Sequence, residues 1–410
     1  MTAASARRWV VVVGAVAAAA IWIRLAVRPS SDLLNHREFG RRFASGADLY
    51  RGGLDYPYPP TWAAAHAPLA AVPARAASAV VFPVGLGALV LLLWIVESLT
   101  GPPRTGGAGR QIWIAAAAVA LASRFVIRDL LDGGENTILT TLAWLAWWMW
   151  TRRRAWAGAA LLAAAVALKL TAGAFLIVLV GWRERAQLVR TLVCLAAFMA
   201  LPAMRMGIDA YGRALGVWGG AVWAGVSSGD PTVGVLGPEP PGNLALRPAL
   251  GRLLVSPDAS ADARAMSAWI ATLVTIAIVV SFAAWVWRRR SATIADRTTE
   301  WAAAGVLGLL ISPITWRSHA VAMLPACYIA ILRATDAGTP RRSTVAALVA
   351  VAVPGLVLTR GVFGEGVSAW TEQWSLATWA FMCLLVGVAL LPRADARDRP
   401  RVVAVPAPMR

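Results

Sequence analysis

Charge is scarce in this 410-residue chain: 15% of it is Asp, Glu, Lys or Arg, against 59% hydrophobic residues. A soluble domain carries roughly 25% charged residues, so the deficit points to lipid as the solvent. Lysine is almost missing; Lys169 is the one lysine among 39 basic residues. Cysteine and histidine number three each. Cys194, Cys327 and Cys383 all fall inside apolar runs, which excludes a disulfide framework and leaves no Cys/His pattern for a metal. No polar stretch long enough for a separate soluble domain interrupts the apolar runs between Trp9 and Pro392. Internal repeats are not evident, which weighs against an inverted-repeat transporter.

What is abundant is arginine, and the formal charge is +18. A nucleic-acid-binding surface would gather that charge on one face. Here it falls in short clusters between apolar runs, the pattern of topology signals. The first run, from Trp9 to Val27, follows Arg7 and Arg8 and has no clean cleavage site after it, so it reads as an uncleaved helix. Run length and arginine placement together predict twelve transmembrane segments: 9–27, 76–97, 111–127, 137–150, 156–168, 170–182, 189–203, 265–287, 301–312, 318–333, 343–358 and 374–392. With both termini inside, Arg104 with Arg110, Arg152–Arg154, Arg183 to Arg190, Arg288–Arg290, Arg341–Arg342 and the tail 393–410 all become cytoplasmic. The pair 156–168 and 170–182 is short for a bilayer, and predicts a hairpin turning at Lys169 under the shelter of its neighbours. The expectation is an all-α, polytopic membrane protein of one domain, with outer loops at 28–75 and 204–264.

Polar residues gather on the outer side. Asp32 follows the first helix and reads either as a helix N-cap or as a general base toward a hydroxyl. Tyr56 to Pro60 is a Pro-rich aromatic run, either a plain interfacial loop or a sugar-stacking surface around Tyr58. The turn Arg128-Asp129 to Glu135-Asn136 reads as a tight capped turn or as a polar contact to sugar hydroxyls. An ammonium within an apolar run, as at Lys169, either snorkels or faces an anion such as a lipid phosphate. Ser312 to His319 places a Pro break, Trp316, Arg317 and His319 at the depth expected for Asp32; His319 is structural or phosphate-binding.

In order, these segments resemble the polyprenyl-phosphate-sugar-dependent mannosyltransferases of glycosyltransferase family 87, in the GT-C superfamily. The stretches that carry the resemblance are Leu307 to Trp316 with His319, Ala157 to Thr171 around Lys169, and the Asp32 loop ending in Tyr58-Pro59-Pro60 with Ala67-Pro68-Leu69. The resemblance implies a GT-C helical bundle and an inverting hexosyl transfer, with mannose as the sugar. The donor is then a polyprenyl phosphate sugar and the acceptor a lipid-linked or polysaccharide glycan of the cell envelope, on the outer face of the plasma membrane. No cofactor or metal is expected, the activated sugar being a substrate, and no nucleic-acid partner. Asp32 matches the family's base, and His319 the second of a histidine pair whose first position is Ser318 here. Lys169, Arg128, Asn136, Glu135, Trp316, Arg317, Tyr58, His36, Asn243 and Arg247 fall at expected substrate-facing positions. Glu135 stands where the family has Gln, His36 where it has an aromatic residue, and Asn243 to Ala245 where it has Asn-Gln-Ser. Rival readings are an arabinofuranosyl donor or, in another class, a lipid or solute transporter.

Overall fold

The computed structural model describes residues 3–51, 56–101, 107–227, 230–231, 233–234, 237–238, 240–256, 258–289, 291, 293–336 and 341–393. Arg104, Arg290, parts of the Pro/Gly-dense stretch 229–248 and the tail from Ala394 lie outside them. The described chain is helical apart from one antiparallel pair, Val233–Gly234 with Gly237–Pro238. Its helices are α1 (Ala3–Val27), α2 (Ser31–Ser45), α3 (Pro60–Ala70), α4 (Ala74–Thr100), α5 (Gly107–Leu121), α6 (Ser123–Asp132), α7 (Glu135–Thr151), α8 (Ala155–Leu168), α9 (Ala174–Gly181) and α10 (Arg185–Ala200). There follow α11 (Ala203–Met206), α12 (Ile208–Ser227), α13 (Leu246–Leu254), α14 (Ala261–Arg289), α15 (Ile294–Ile311), α16 (Leu324–Asp336), α17 (Arg342–Ala352), α18 (Arg360–Gln373) and α19 (Leu376–Ala389). Turns of 3₁₀ helix occupy Leu170–Gly173 and Arg317–Met323.

Helix α15 is buried from Ala295 to Leu310 and forms the axis of the bundle. A helix apolar on all faces belongs in the interior, and small residues let its neighbours come close. A Cβ on Gly308 would stand 2.8 Å from the Thr171 carbonyl oxygen, and one on Gly305 2.9 Å from that of Ala322. These two glycines therefore seat the Leu170–Gly173 and Arg317–Met323 turns against the same helix. Trp301, fully buried, anchors an aromatic knot with Phe175 and Trp182, at 4.5 and 5.8 Å between ring centroids. By contrast α10 buries only Thr191 and leaves Val189, Leu192 and Val193 exposed, the surface that a bilayer would cover.

Each of the twelve apolar runs lies on helix, but twelve full crossings are not what the described residues show. Four helical stretches are long and apolar enough: Ala74–Thr100, Arg185–Met206, Ala261–Arg289 and Arg317–Asp336. A fifth arises only if Arg342–Val357 and Arg360–Gln373, bent by 105°, count as one. Helix α1 has 25 residues, of which Gly14–Val27 forms a shorter apolar stretch, and several of the other runs are interrupted or short. The run 111–127 breaks between α5 and α6 at Ala122, and α8 has 14 residues, about 21 Å at 1.5 Å per residue against a hydrocarbon core of about 30 Å. The segment 28–75, expected to lie outside, carries α2 and α3, which pack on each other.

The hairpin at Lys169 is present, with its arms apart. Helix α8 lies against α7 and α10, while α9 lies against α15 and α14. Lys169 is level with Asn136 at the start of α7, and Trp182 with Trp147 near its end (centroids 4.9 Å apart). Arginine clusters from successive connections meet at that second end. Arg183 stacks on Trp287, Arg297 pairs with Glu184 at 2.9 Å, Arg289 pairs with Asp296 at 3.1 Å, and Arg393 donates to the Arg289 carbonyl.

Candidate active site

The opposite end holds the candidate residues. Lys169 sits in extended backbone between α8 and the Leu170–Gly173 turn, so its side chain leaves the helix line. Its Nζ donates to Asn136 Oδ1 at 2.7 Å and lies 2.7 Å from His319 Nε2. An ammonium only donates, so toward a charged Lys169 His319 Nε2 accepts, while Nδ1 lies 3.2 Å from both the Ile314 carbonyl oxygen and the Trp316 N–H. Tyr58 supplies the third side, its ring centroid 5.3 Å from Nζ. No carboxylate is in ion-pair contact with Lys169 among the described residues; its direct contacts are neutral acceptors and a ring, while Glu135, Asp129 and Asp32 act on its charge from further away. Lys169, Tyr58, His319, Trp316 and Trp218 line a common cavity, and a second small cavity reaches Lys169 and His319 from the α15 side.

Asn136 is aimed by Asp129, the acidic residue at the other end of the capped turn. Asp129, fully buried, accepts from Asn136 Nδ2 at 2.7 Å and from Thr137 Oγ1 at 2.6 Å. It also accepts from the backbone N–H groups of both residues, capping α7 across the Gly133-Gly134 turn. Both glycines have positive φ, and a Cβ on Gly134 would meet Gly85 of α4 at 2.8 Å. With its amide N–H on Asp129, Asn136 must present Oδ1 to Lys169.

Glu135 and His36 are locked together instead of standing free for a sugar. His36 Nε2 is 2.7 Å from one Glu135 oxygen, and His66 Nε2 is 3.0 Å from the other. The Trp62 indole N–H is shared between the Tyr56 hydroxyl at 2.9 Å and His36 Nδ1 at 3.2 Å, which holds the His36 ring with Nε2 toward Glu135. His66 Nδ1 faces the Trp62 carbonyl at 2.8 Å. Both partners of His66 only accept, which makes it an imidazolium. Burial works against the charges on this pair, yet the two histidines hold the Glu135 carboxyl down to about 2, and Glu135 raises His66 above its ordinary value. Tyr58 stacks on Trp62 at 4.4 Å and Trp62 on His66 at 4.7 Å. The network thus fixes the ring beneath Lys169.

Asp32 lies in the first turn of α2, half-buried, where a carboxylate suits the helix dipole. It is not the N-cap. Ser30 is, its hydroxyl accepting from Leu33 N at 3.2 Å, so the side chain of Asp32 is not committed to capping. Its charge acts on Lys169, Tyr58 and Asp132. Burial and Asp32 together push the Asp132 carboxyl up to about 6, against the pull of Arg128 at 2.8 Å.

The remaining candidates are engaged within the chain. Arg317 pairs with Glu372, which Arg124 also approaches at 3.7 Å. Asn243 Oδ1 accepts from Thr315 N at 2.9 Å and Ala245 N at 3.1 Å, while its amide donates to the Pro313 carbonyl. It fastens the loop before α13 to the Ser312–Trp316 segment, and Trp316 packs over Gly242 beside it. Arg247 donates to the Gly225 carbonyl.

Two relatives carry the same description, polyprenol-phosphate-mannose-dependent alpha-(1-2)-phosphatidylinositol mannoside mannosyltransferase. The protein from Mycolicibacterium smegmatis is 29% identical over 72% of this chain and 68% of its own. The protein from Mycobacterium tuberculosis is 25% identical over 88% of this chain and 84% of its own. No solved structure matches the chain. The profile of glycosyltransferase family 87 matches residues 56–313, a range that holds Lys169 and Asn136 but stops short of Asp32 and His319. That range is more than half of the chain, which is therefore a glycosyltransferase belonging to family 87.

Proposed function

We propose that the chain transfers a mannosyl group from a polyprenyl-phosphate donor to a hydroxyl of a phosphatidylinositol mannoside or a related glycolipid. The observation that carries the reading is the Lys169 ammonium, held by Asn136 and His319 over Tyr58 at a cavity, with no carboxylate in direct contact among the described residues. A buried cation without an anion marks a place for one, and a prenyl phosphate brings both the charge and the lipid. The names of the two relatives supply the sugar and the acceptor class.

In this reading Asp32 takes the proton of the acceptor hydroxyl, whose oxygen attacks the anomeric carbon with inversion. The bond from that carbon to the phosphate oxygen breaks, and the electron pair leaves with polyprenyl phosphate. Lys169 stabilises the developing phosphate charge, the usual work of a preorganised cation, and His319 fixes the Lys169 side chain. Tyr58, stacked on Trp62, offers the sugar a flat face. The site end lies at the outer face of the membrane and the arginine end inside, following the bias of arginine toward the cytoplasm. The test is to incubate purified protein with labelled polyprenyl-phosphate mannose, its arabinofuranose counterpart, and a glycolipid extract. Mannosyl transfer that Asp32→Asn abolishes supports the proposal; transfer of arabinofuranose alone overturns the choice of sugar.

A further inference from the structure

A groove at the arginine end, remote from Lys169, is built from three helix termini. It has a volume of about 460 Å³ and is lined by Leu179, Val180, Arg183, Arg185, Leu188 and Trp287. Its floor is apolar and its rim cationic. Gly181 makes the floor possible, since a Cβ there would stand 2.6 Å from Val286 of α14. Arg183 lies with its guanidinium carbon 3.8 Å from the Trp287 ring centroid. Arg183 and Arg185 are both exposed, and neither has an ion-pair partner among the described residues. The one carboxylate between them, Glu184, turns away to Arg297. The groove therefore keeps two uncompensated positive charges.

Arg183 occupies the left-handed position (φ 60) that closes α9, with Glu184 N bonded to the Leu179 carbonyl. Arg153 closes α7 in the same way, with φ 60 and Arg154 N on the Met149 carbonyl. The cap alone thus marks nothing; the aromatic face and the groove set Arg183 apart.

Two helices that meet here, α10 and α14, lie in stretches long and apolar enough to cross a membrane, and expose most of their surface. The groove sits at the ends of both, where headgroups lie. We propose that it binds an anionic glycerophospholipid, the phosphodiester between Arg183 and Arg185 and the upper acyl chain along Val180, Leu188 and Trp287. A free anion would leave the apolar floor wet; a zwitterionic lipid would leave the arginines uncompensated. Basic pockets between membrane helices hold anionic headgroups in this manner.

The test is lipid titration by native mass spectrometry on the full chain in neutral detergent, with phosphatidylglycerol, phosphatidylcholine and inorganic phosphate as probes. Phosphatidylglycerol should bind best, and R183A/R185A should weaken it about thirtyfold, as two surface charges are worth. Arg153→Ala, a matched arginine outside the groove, should leave it unchanged. Should the double variant not fold, Arg185→Ala alone should weaken it about fivefold. Equal binding of phosphatidylcholine, equal binding of inorganic phosphate, an equal loss with Arg153→Ala, or no loss in the groove variants overturns the proposal.

Discussion

The Nζ of Lys169 lies 2.7 Å from Nε2 of His319, although the two residues are 150 apart in sequence. Two glycines of α15, Gly305 and Gly308, make the contact by letting both turns rest on one helix. Lys169→Met keeps the bulk of the side chain and removes the charge. Hydrogen bonds to charged groups are worth roughly 1.5–3 kcal/mol, so use of a prenyl-phosphate donor should fall about ten- to a hundredfold. The measurement is the dependence of rate on donor concentration, with inhibition by free polyprenyl phosphate as a second readout. Undiminished inhibition in Lys169→Met places the phosphate elsewhere.

Helix positions were legible because apolar runs in a membrane protein are long and the arginines alternate between them. Crossing counts were not, because run length says nothing about a break such as Ala122, which depends on packing. The sequence reading singled out Lys169 and His319 through the cost of a charge in an apolar run and the Pro break beside His319. His66 carries no local signal, and its use appears only when α3 is brought to the start of α7, whereas Asp129 belongs to the turn whose capping was legible, and capping α7 is part of what it does. The side chains of Asn243 and Glu135 meet neighbours distant in sequence, contacts that no local pattern shows.

The Glu135–His66 pair should confine stability to a window of pH. The Glu135 carboxyl, held at about 2, contributes above its unfolded value of 4.5 and loses that contribution as pH falls toward 2. His66, raised above 6.5, contributes fully below 6.5 and loses its share as pH rises through its folded value. A thermal-unfolding midpoint measured against pH should therefore be highest between about 4.5 and 6.5. Glu135→Gln should flatten the acid side. Glu135→Ala strands a buried imidazolium and should cost roughly 3–5 kcal/mol. An unchanged acid limb in Glu135→Gln would show that other carboxylates govern it.

Gly40→Ala should damage the site from α2. On propensity alone, alanine within a helix gains roughly 1 kcal/mol over glycine. The added Cβ, however, would stand 2.4 Å from the His66 carbonyl oxygen and 2.8 Å from Ala67 N. Backbone atoms cannot rotate away, and overpacking typically costs 1–3 kcal/mol or more. The clash should win, lowering the unfolding midpoint and displacing His66 from Glu135. Gly14, with nothing within 4 Å of an added Cβ, is the control; a Gly40→Ala protein as stable as Gly14→Ala contradicts the close approach of α2 to α3.

Asp32 is the residue on which the proposed chemistry turns. It is half-buried at the start of α2, and Ser30 has taken over the capping for which Asp32 was one candidate. Asp32→Asn keeps size and hydrogen bonding while removing the base. General-base catalysis contributes typically 10²–10⁴-fold, so kcat should fall by about that factor with donor affinity retained. Asp132 is the internal competitor, because its carboxyl is pushed up to about 6 by burial and by Asp32 itself. If Asp32 is the base, Asp132→Asn should leave turnover within about tenfold of the unmodified protein. His319→Ala should raise the donor requirement more than it lowers kcat, since His319 orients Lys169, and Ser318→His should be tolerated. A hundredfold loss in Asp132→Asn with near-normal turnover in Asp32→Asn would transfer the role of base to Asp132.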